Sequence, residues 1–211
     1  MIDFSIGIMK IHRLHAPFNI IPKNKIERKV LMKKHNIITI TGYRNYELGI
    51  FQEKDAKLAI LYQFIKHSLR QLLENGGEWL IIGGNLGVEL WSAKMAYELK
   101  NEGFDVKVAV FLPFKNFGEN WKGYNQQLFE EVITQADYLN FVSHKEYESP
   151  LQLKNHSKFL IEHSDMLWAI YDREFPGKAQ YIIQDWVATG KDFQLCSMDD
   201  LQSFANDLND F

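Results

Sequence analysis

A single cysteine, Cys196, stands among the 211 residues. One thiol closes no intramolecular disulfide, and a structural zinc site built from several thiolates is excluded with it. No apolar run approaches the ~20 residues that a membrane-spanning helix needs. The stretch from Phe4 to Met9 is too short for the apolar core of a secretory signal; Asp3 sits where such a signal is basic, and no small-residue cleavage site follows. The histidines, at 12, 15, 35, 67, 144, 156 and 163, form no H-E-x-x-H pair, so no metal site is expected. There is no G-x-S-x-G nucleophile elbow. A reducing, cytoplasmic setting is the simplest expectation.

What is present is ordinary globular composition, 46% hydrophobic and 24% charged, over a length that suits one domain with a full core. The formal net charge of −3 conceals an asymmetry. Residues 1–35 carry 8 Lys and Arg against 2 Asp and Glu, whereas residues 36–211 carry 16 against 25. The first segment is expected to be a basic extension that is either disordered or not part of the native chain, which would then start at Met32. The acidic body disfavours nucleic acid as a partner, because phosphate neutralisation needs a positive surface.

From residue 36 onward, short apolar strands alternate with amphipathic helices. Asn36 to Thr41 reads as a buried strand ending at Gly42. A helix follows from about Asp55 to Glu74, with Leu58, Leu61, Ile65, Leu69 and Leu72 stepping by three or four along one face. Asp55 suits its N-cap and Asn75-Gly76-Gly77 its stop. Further strands are expected at Trp79 to Ile82, Val106 to Leu112 (stopped by Pro113), Tyr138 to Val142, Met166 to Tyr171 and Phe193 to Cys196. Helices are expected from Gly87, at Gln126 to Gln135, Leu151 to His163, Ala179 to Ala188 and Asp199 to Leu208. Strict alternation implies βαβ units: a Rossmann-like α/β domain over residues 36–211, its mostly parallel sheet covered by helices on both faces. Right-handed crossovers bring every strand's carboxyl end to one edge, where such folds bind ligands.

That edge gathers the candidate binding residues. Gly83-Gly84-Asn85-Leu86-Gly87 lies between a buried strand and a helix start, where free N–H groups and the helix dipole welcome an anion. Its G-G-x-x-G spacing is neither the dinucleotide G-x-G-x-x-G nor a P-loop, which needs a following Lys-Ser/Thr. A tight strand-to-helix turn is the bland alternative, but three glycines exceed what a turn requires. Glu89, in the first helical turn, is either a carboxylate favoured there by the macrodipole or a contact to a ribose hydroxyl. After the first strand, Gly42, Tyr43, Arg44 and Glu47 border the expected crevice. Arg44 is placed to pair with a phosphate and Tyr43 to stack on a ring, against the alternative of an Arg44–Glu47 surface pair. Pro113, Trp121 and Asp172 follow other strands to the same edge, as do Tyr147, Ser149 and Lys178. Cys196, on a buried strand, reads as a packed thiol.

Taken in order, "ITGYRNYELGIF" (Ile40 to Phe51), "GGNLGVELWSAKMAYEL" (Gly83 to Leu99), "PF…NW" (Pro113 to Trp121), "ADY" (Ala136 to Tyr138) and "YESPLQLK" (Tyr147 to Lys154) resemble the YpsA family of Gram-positive bacteria. The resemblance runs from about Ile37 to the C-terminus. That family resembles the larger group holding the LOG phosphoribohydrolases and the DNA-processing protein DprA. The resemblance implies a Rossmann-like fold and a nucleotide, or a derivative such as ADP-ribose or NAD, as ligand. It carries Gly87 and Glu89 over as a G-x-E element and implies a role, and partners, in cell division. The hydrolases carry P-G-G-x-G-T-x-x-E. Here no proline precedes the loop, Val88 replaces the threonine, and the glutamate is displaced, which weakens transfer of N-glycosidic hydrolysis. Three functions follow: a nucleotide-binding regulator first, a nucleoside monophosphate phosphoribohydrolase with Glu89 as its catalytic residue second, and a protein working through partner contacts third.

Overall fold

β-Branched and apolar residues from Ile37 to Gly42 form β1, and only Ile37 at its start is more than slightly exposed. A computed structural model describes residues 34–209; the expected basic extension, up to residue 33, and the Met32 start lie outside the described residues. Gly42 leads into a four-residue 3-10 helix, Asn45–Leu48, which sequence periodicity is too short to reveal. The remaining elements alternate: α1 Ala56–Glu74, β2 Trp79–Ile82, α2 Val88–Asn101, β3 Lys107–Phe114, α3 Tyr124–Gln135, β4 Tyr138–Ser143, α4 Pro150–Glu162, β5 Met166–Ile170, α5 Gln180–Thr189, β6 Asp192–Cys196 and α6 Met198–Asn209.

Local chemistry sets these boundaries. Asp55 caps α1, its Oδ1 accepting from Lys57 N at 2.9 Å. The five-residue stripe of α1 is wholly buried, each side chain stabilising the fold by roughly 1.5–3 kcal/mol. Pro150 opens α4, where a missing N–H costs nothing, and Gln152 reaches back to the Ser149 N–H. β3 does not stop at Pro113, as its sequence suggests, but runs on to Phe114. Beyond Val110, opposite Ile82, β2 has ended. On the other side Leu112 lies opposite Phe141 and Phe114 opposite Ser143, so the missing N–H of Pro113 removes no ladder bond.

All strand pairs are parallel, in the order β4-β3-β2-β1-β5-β6. Contacts of α1 with α2 and α6, and of α2 with α3, place these four helices on one face; α4 and α5 pack together on the other. β1 and its neighbour β5 are the most buried strands. The strand order reverses between them, and their carboxyl ends flank the topological switch point where ligands of such sheets sit. Among the described residues no helix is long and apolar enough to cross a membrane, and no cluster of His, Cys, Asp or Glu is arranged to hold a metal ion.

Candidate functional site

At the switch edge the chain buries a carboxylate. Glu89, in the first turn of α2, is 3% exposed. Its Oε2 accepts from the backbone N–H groups of Gly83 (2.9 Å) and Asn85 (3.1 Å). Its Oε1 accepts from Thr41 Oγ1 (3.0 Å) and Arg44 Nη1 (3.3 Å), and Asn85 Nδ2 reaches both oxygens. One side chain thus joins β1, the β1 exit, the β2 exit and α2. Arg44 and the helix dipole offset its charge, and the donors replace the water it has lost. Glu89 is thus a first-turn carboxylate, and its donors all come from the protein's own loops and β1.

The loop is fixed by contact as well as by hydrogen bonds. A Cβ on Gly87, where φ is +90°, would lie 2.4 Å from Tyr43 O and 2.6 Å from Asn45 N. Only glycine lets the two loops touch there. A Cβ on Gly83 would meet His156 Cε1 at 2.5 Å and Glu89 Oε2 at 3.2 Å. The three glycines therefore have packing reasons, Gly84 against Leu112 included. Even so, among the described residues the N–H groups of Gly84, Leu86 and Gly87 have no hydrogen-bond acceptor.

Arg44 keeps a partly exposed guanidinium, held through Nη1 to Gly42 O (3.1 Å) and Glu89. Glu47 makes no side-chain pair with it; its carboxylate accepts from the Arg44 backbone N (2.7 Å) and from Lys178 N (2.7 Å), tying the β1 exit to the β5 exit. Tyr43 is 1% exposed and packs against Tyr171 with ring centroids 5.5 Å apart. Its hydroxyl donates to Phe175 O (2.6 Å) and accepts from Asp172 N (3.0 Å). The ring stacking on a ligand expected of Tyr43 does not fit this geometry, since apolar burial claims the ring. Burial also raises its pKa far above the usual phenolic range. The Asp172 carboxylate accepts from Glu174 N. Pro113 lies buried in β3, and Trp121 packs edge-on against Phe117 and Phe129 beneath the loop. Gly42 through Glu47 and Gly83 through Glu89 come together; Asp172 joins them through Tyr43, Trp121 packs on Phe117 and Phe129 next to Gly84, and Pro113 lies within β3.

Sequence reasoning passed over His156 and Gln152. Both are buried on α4, four residues apart and in register with Leu160. Polar residues on an apolar stripe at i, i+4 and i+8 were the available signal. His156 Nε2 donates to Phe111 O at 2.6 Å. Burial is the main cause lowering its pKa; the Phe111 bond and the Glu89 charge oppose the shift, and Arg44 adds to it. A neutral imidazole thus sits behind the glycine loop. Gln152 donates to Ser143 Oγ and Glu146 O and accepts from Glu148 N and Ser149 N, fixing the β4 exit.

A six-stranded parallel sheet, doubly wound, with a glycine loop and a central-strand exit meeting at its switch edge, defines a Rossmann-like α/β protein. Within that class the chain belongs to the YpsA family: the family model, described as the YspA SLOG family, matches residues 38–201. SLOG is the Rossmann-like group that includes the LOG proteins and DprA. The chain is 46% identical over 176 residues to a UPF0398 protein of Enterococcus faecalis, covering 82% of this chain and 98% of that one. It is 45% identical over 147 residues to the UPF0398 protein YpsA of Bacillus subtilis, covering 70% and 82%. A UPF0398 protein of Leuconostoc citreum is 41% identical over 170 residues, covering 79% and 90%.

Proposed function

We propose that this protein binds a nucleotide or nucleotide derivative of the ADP-ribose or NAD kind, with a phosphate at the Gly83–Gly87 loop, and acts as a cytoplasmic regulator. The observation that carries this is the set of N–H groups of Gly84, Leu86 and Gly87, which lack acceptors among the described residues at the N-terminus of α2. The partly exposed Arg44 guanidinium beside them supplies a fork for a second anionic oxygen. Gly87 closes the space between the loops, so the ligand lies over Asn85, Leu86 and Arg44 rather than between them.

Glu89 favours binding over hydrolysis. A general base needs a free lone pair directed at water, and this carboxylate already accepts from Thr41, Arg44, Gly83 and Asn85. Its role is to hold the loop in shape. Isothermal titration with ADP-ribose, NAD and nucleoside monophosphates tests the assignment: one of them binds the wild type, and Arg44→Ala weakens it. Absence of binding by all of them overturns it. Base release from nucleoside monophosphates tests the hydrolase alternative. Turnover that is lost in Glu89→Gln while binding persists would install that alternative instead.

The link to cell division, and to division proteins as partners, rests on the family resemblance. In a deletion strain, a binding-deficient Arg44→Ala chain is expected to fail where the wild type restores division. Equal rescue by both would remove ligand binding from that role.

A further inference from the structure

β3 outlasts β2. Val110 is opposite Ile82, the last residue of β2, yet β3 continues to Phe114. At about 3.3 Å per residue the extra strand rises roughly 13 Å beyond the β2 end, making a wall beside the glycine loop. Aromatic rings line that wall in an unbroken chain. Phe117 Cε1 lies 3.7 Å from where a Cβ of Gly84 would stand. Phe117 meets Phe114 at a centroid distance of 5.4 Å, and Phe114 meets Tyr147 at 5.1 Å. Phe114 and Phe117 are half-buried, while Tyr147 is 49% exposed.

Tyr147 is held, not loose. Its N–H donates to Asn116 Oδ1 at 3.0 Å, and Lys115 N donates to Lys145 O at 2.9 Å, so the β3 and β4 exits brace each other. Gln152 fixes the same segment from below. A contiguous aromatic surface left open at a binding edge marks a contact surface, and a rigid ring with a free face is what base stacking requires.

We propose that Tyr147, backed by Phe114, is the stacking platform for the flat ring of the ligand, taking the place that burial denies to Tyr43. This rests on the proposed phosphate seat and narrows it: the ligand is a nucleoside phosphate with its base attached, not a sugar phosphate. The base lies along the wall while the phosphate sits at the loop.

Titration of wild type, Tyr147→Ala and Tyr147→Phe with AMP, ADP-ribose and ribose 5-phosphate tests it. Because Tyr147 is half exposed and its tie to Asn116 is through the backbone, both variants fold, which circular dichroism checks. The expected result is that Tyr147→Ala weakens the better-binding nucleotide by about tenfold or more. Tyr147→Phe keeps wild-type affinity, and ribose 5-phosphate is indifferent to both changes. Nucleotide binding unchanged in Tyr147→Ala overturns the platform and leaves the phosphate seat standing. Equal weakening of nucleotide and ribose 5-phosphate also overturns it, since the ring would then act on the loop. Failure of every ligand to bind the wild type removes both.

Discussion

Glu89 and Arg44 form a pair whose members are not equivalent. Removing the guanidinium leaves the carboxylate its bonds from Thr41, Gly83 and Asn85. Removing the carboxylate strands the buried Gly83 N–H, the half-buried Asn85 N–H and a cation together. Arg44→Ala is therefore expected to cost about 1–3 kcal/mol and Glu89→Ala about 3–5 kcal/mol, with the order read from urea denaturation midpoints. An Arg44→Ala cost equal to that of Glu89→Ala would mean that the ion pair, not the loop contacts, dominates. Glycines permit a similar contrast. Gly87→Ala drives a Cβ into the backbone at Tyr43 and Asn45, whereas Gly123, also at positive φ, has nothing within 4 Å. Thermal and urea melts should show Gly123→Ala costing about 1–2 kcal/mol from backbone strain alone, and Gly87→Ala about 3–5 kcal/mol once overpacking is added.

At the scale of elements, α4 carries the consequence of burying an imidazole. The folded pKa of His156 lies below its unfolded value near 6.5. The unfolded chain then binds the extra proton first, so the stability owed to this group is complete above pH ~6.5 and declines as pH falls through that value towards the folded pKa. Glu89 and Arg44 face the same ring with opposite signs. His156→Gln, which can still donate to Phe111 O, is expected to flatten the loss of stability between pH 7.5 and 5.5 measured by denaturant titration. An unchanged slope would assign the acid sensitivity elsewhere. Elements are also where the sequence was most legible. The α1 stripe, the Asp55 cap and the alternation of strand and helix are local patterns, and the fold follows them. The 3-10 helix at Asn45–Leu48 has no period to read, and the continuation of β3 through Pro113 depends on β2 having already ended. The site was legible as a set of loops at one edge. Which side chains face the crevice was not, because Tyr43, Gly87 and Glu89 are placed in part by contacts across 42 or more positions of chain, Gly87 with Asn45 and Glu89 with Thr41 among them.

At the scale of the whole molecule the acidic body bears on partners. Residues 36–211, with 16 Lys and Arg against 25 Asp and Glu, repel a polyphosphate backbone at range, whatever the proposed phosphate seat does with a single phosphate. Mobility-shift titrations with single- and double-stranded DNA at about 150 mM salt are expected to show no complex, in contrast to a DprA-like activity; a salt-sensitive shift would reverse that expectation.

The seam where Gly87 presses against the backbone of Tyr43 and Asn45 also bears on time. Two loops joined without a gap cannot open and shut independently, so the proposed phosphate seat has no hinge of its own. Capture should then be a one-step encounter. In stopped-flow mixing, the observed rate should rise linearly with ligand concentration and show no plateau. A rate that saturates would reveal a slow rearrangement preceding or following contact, and would mean that the seam parts.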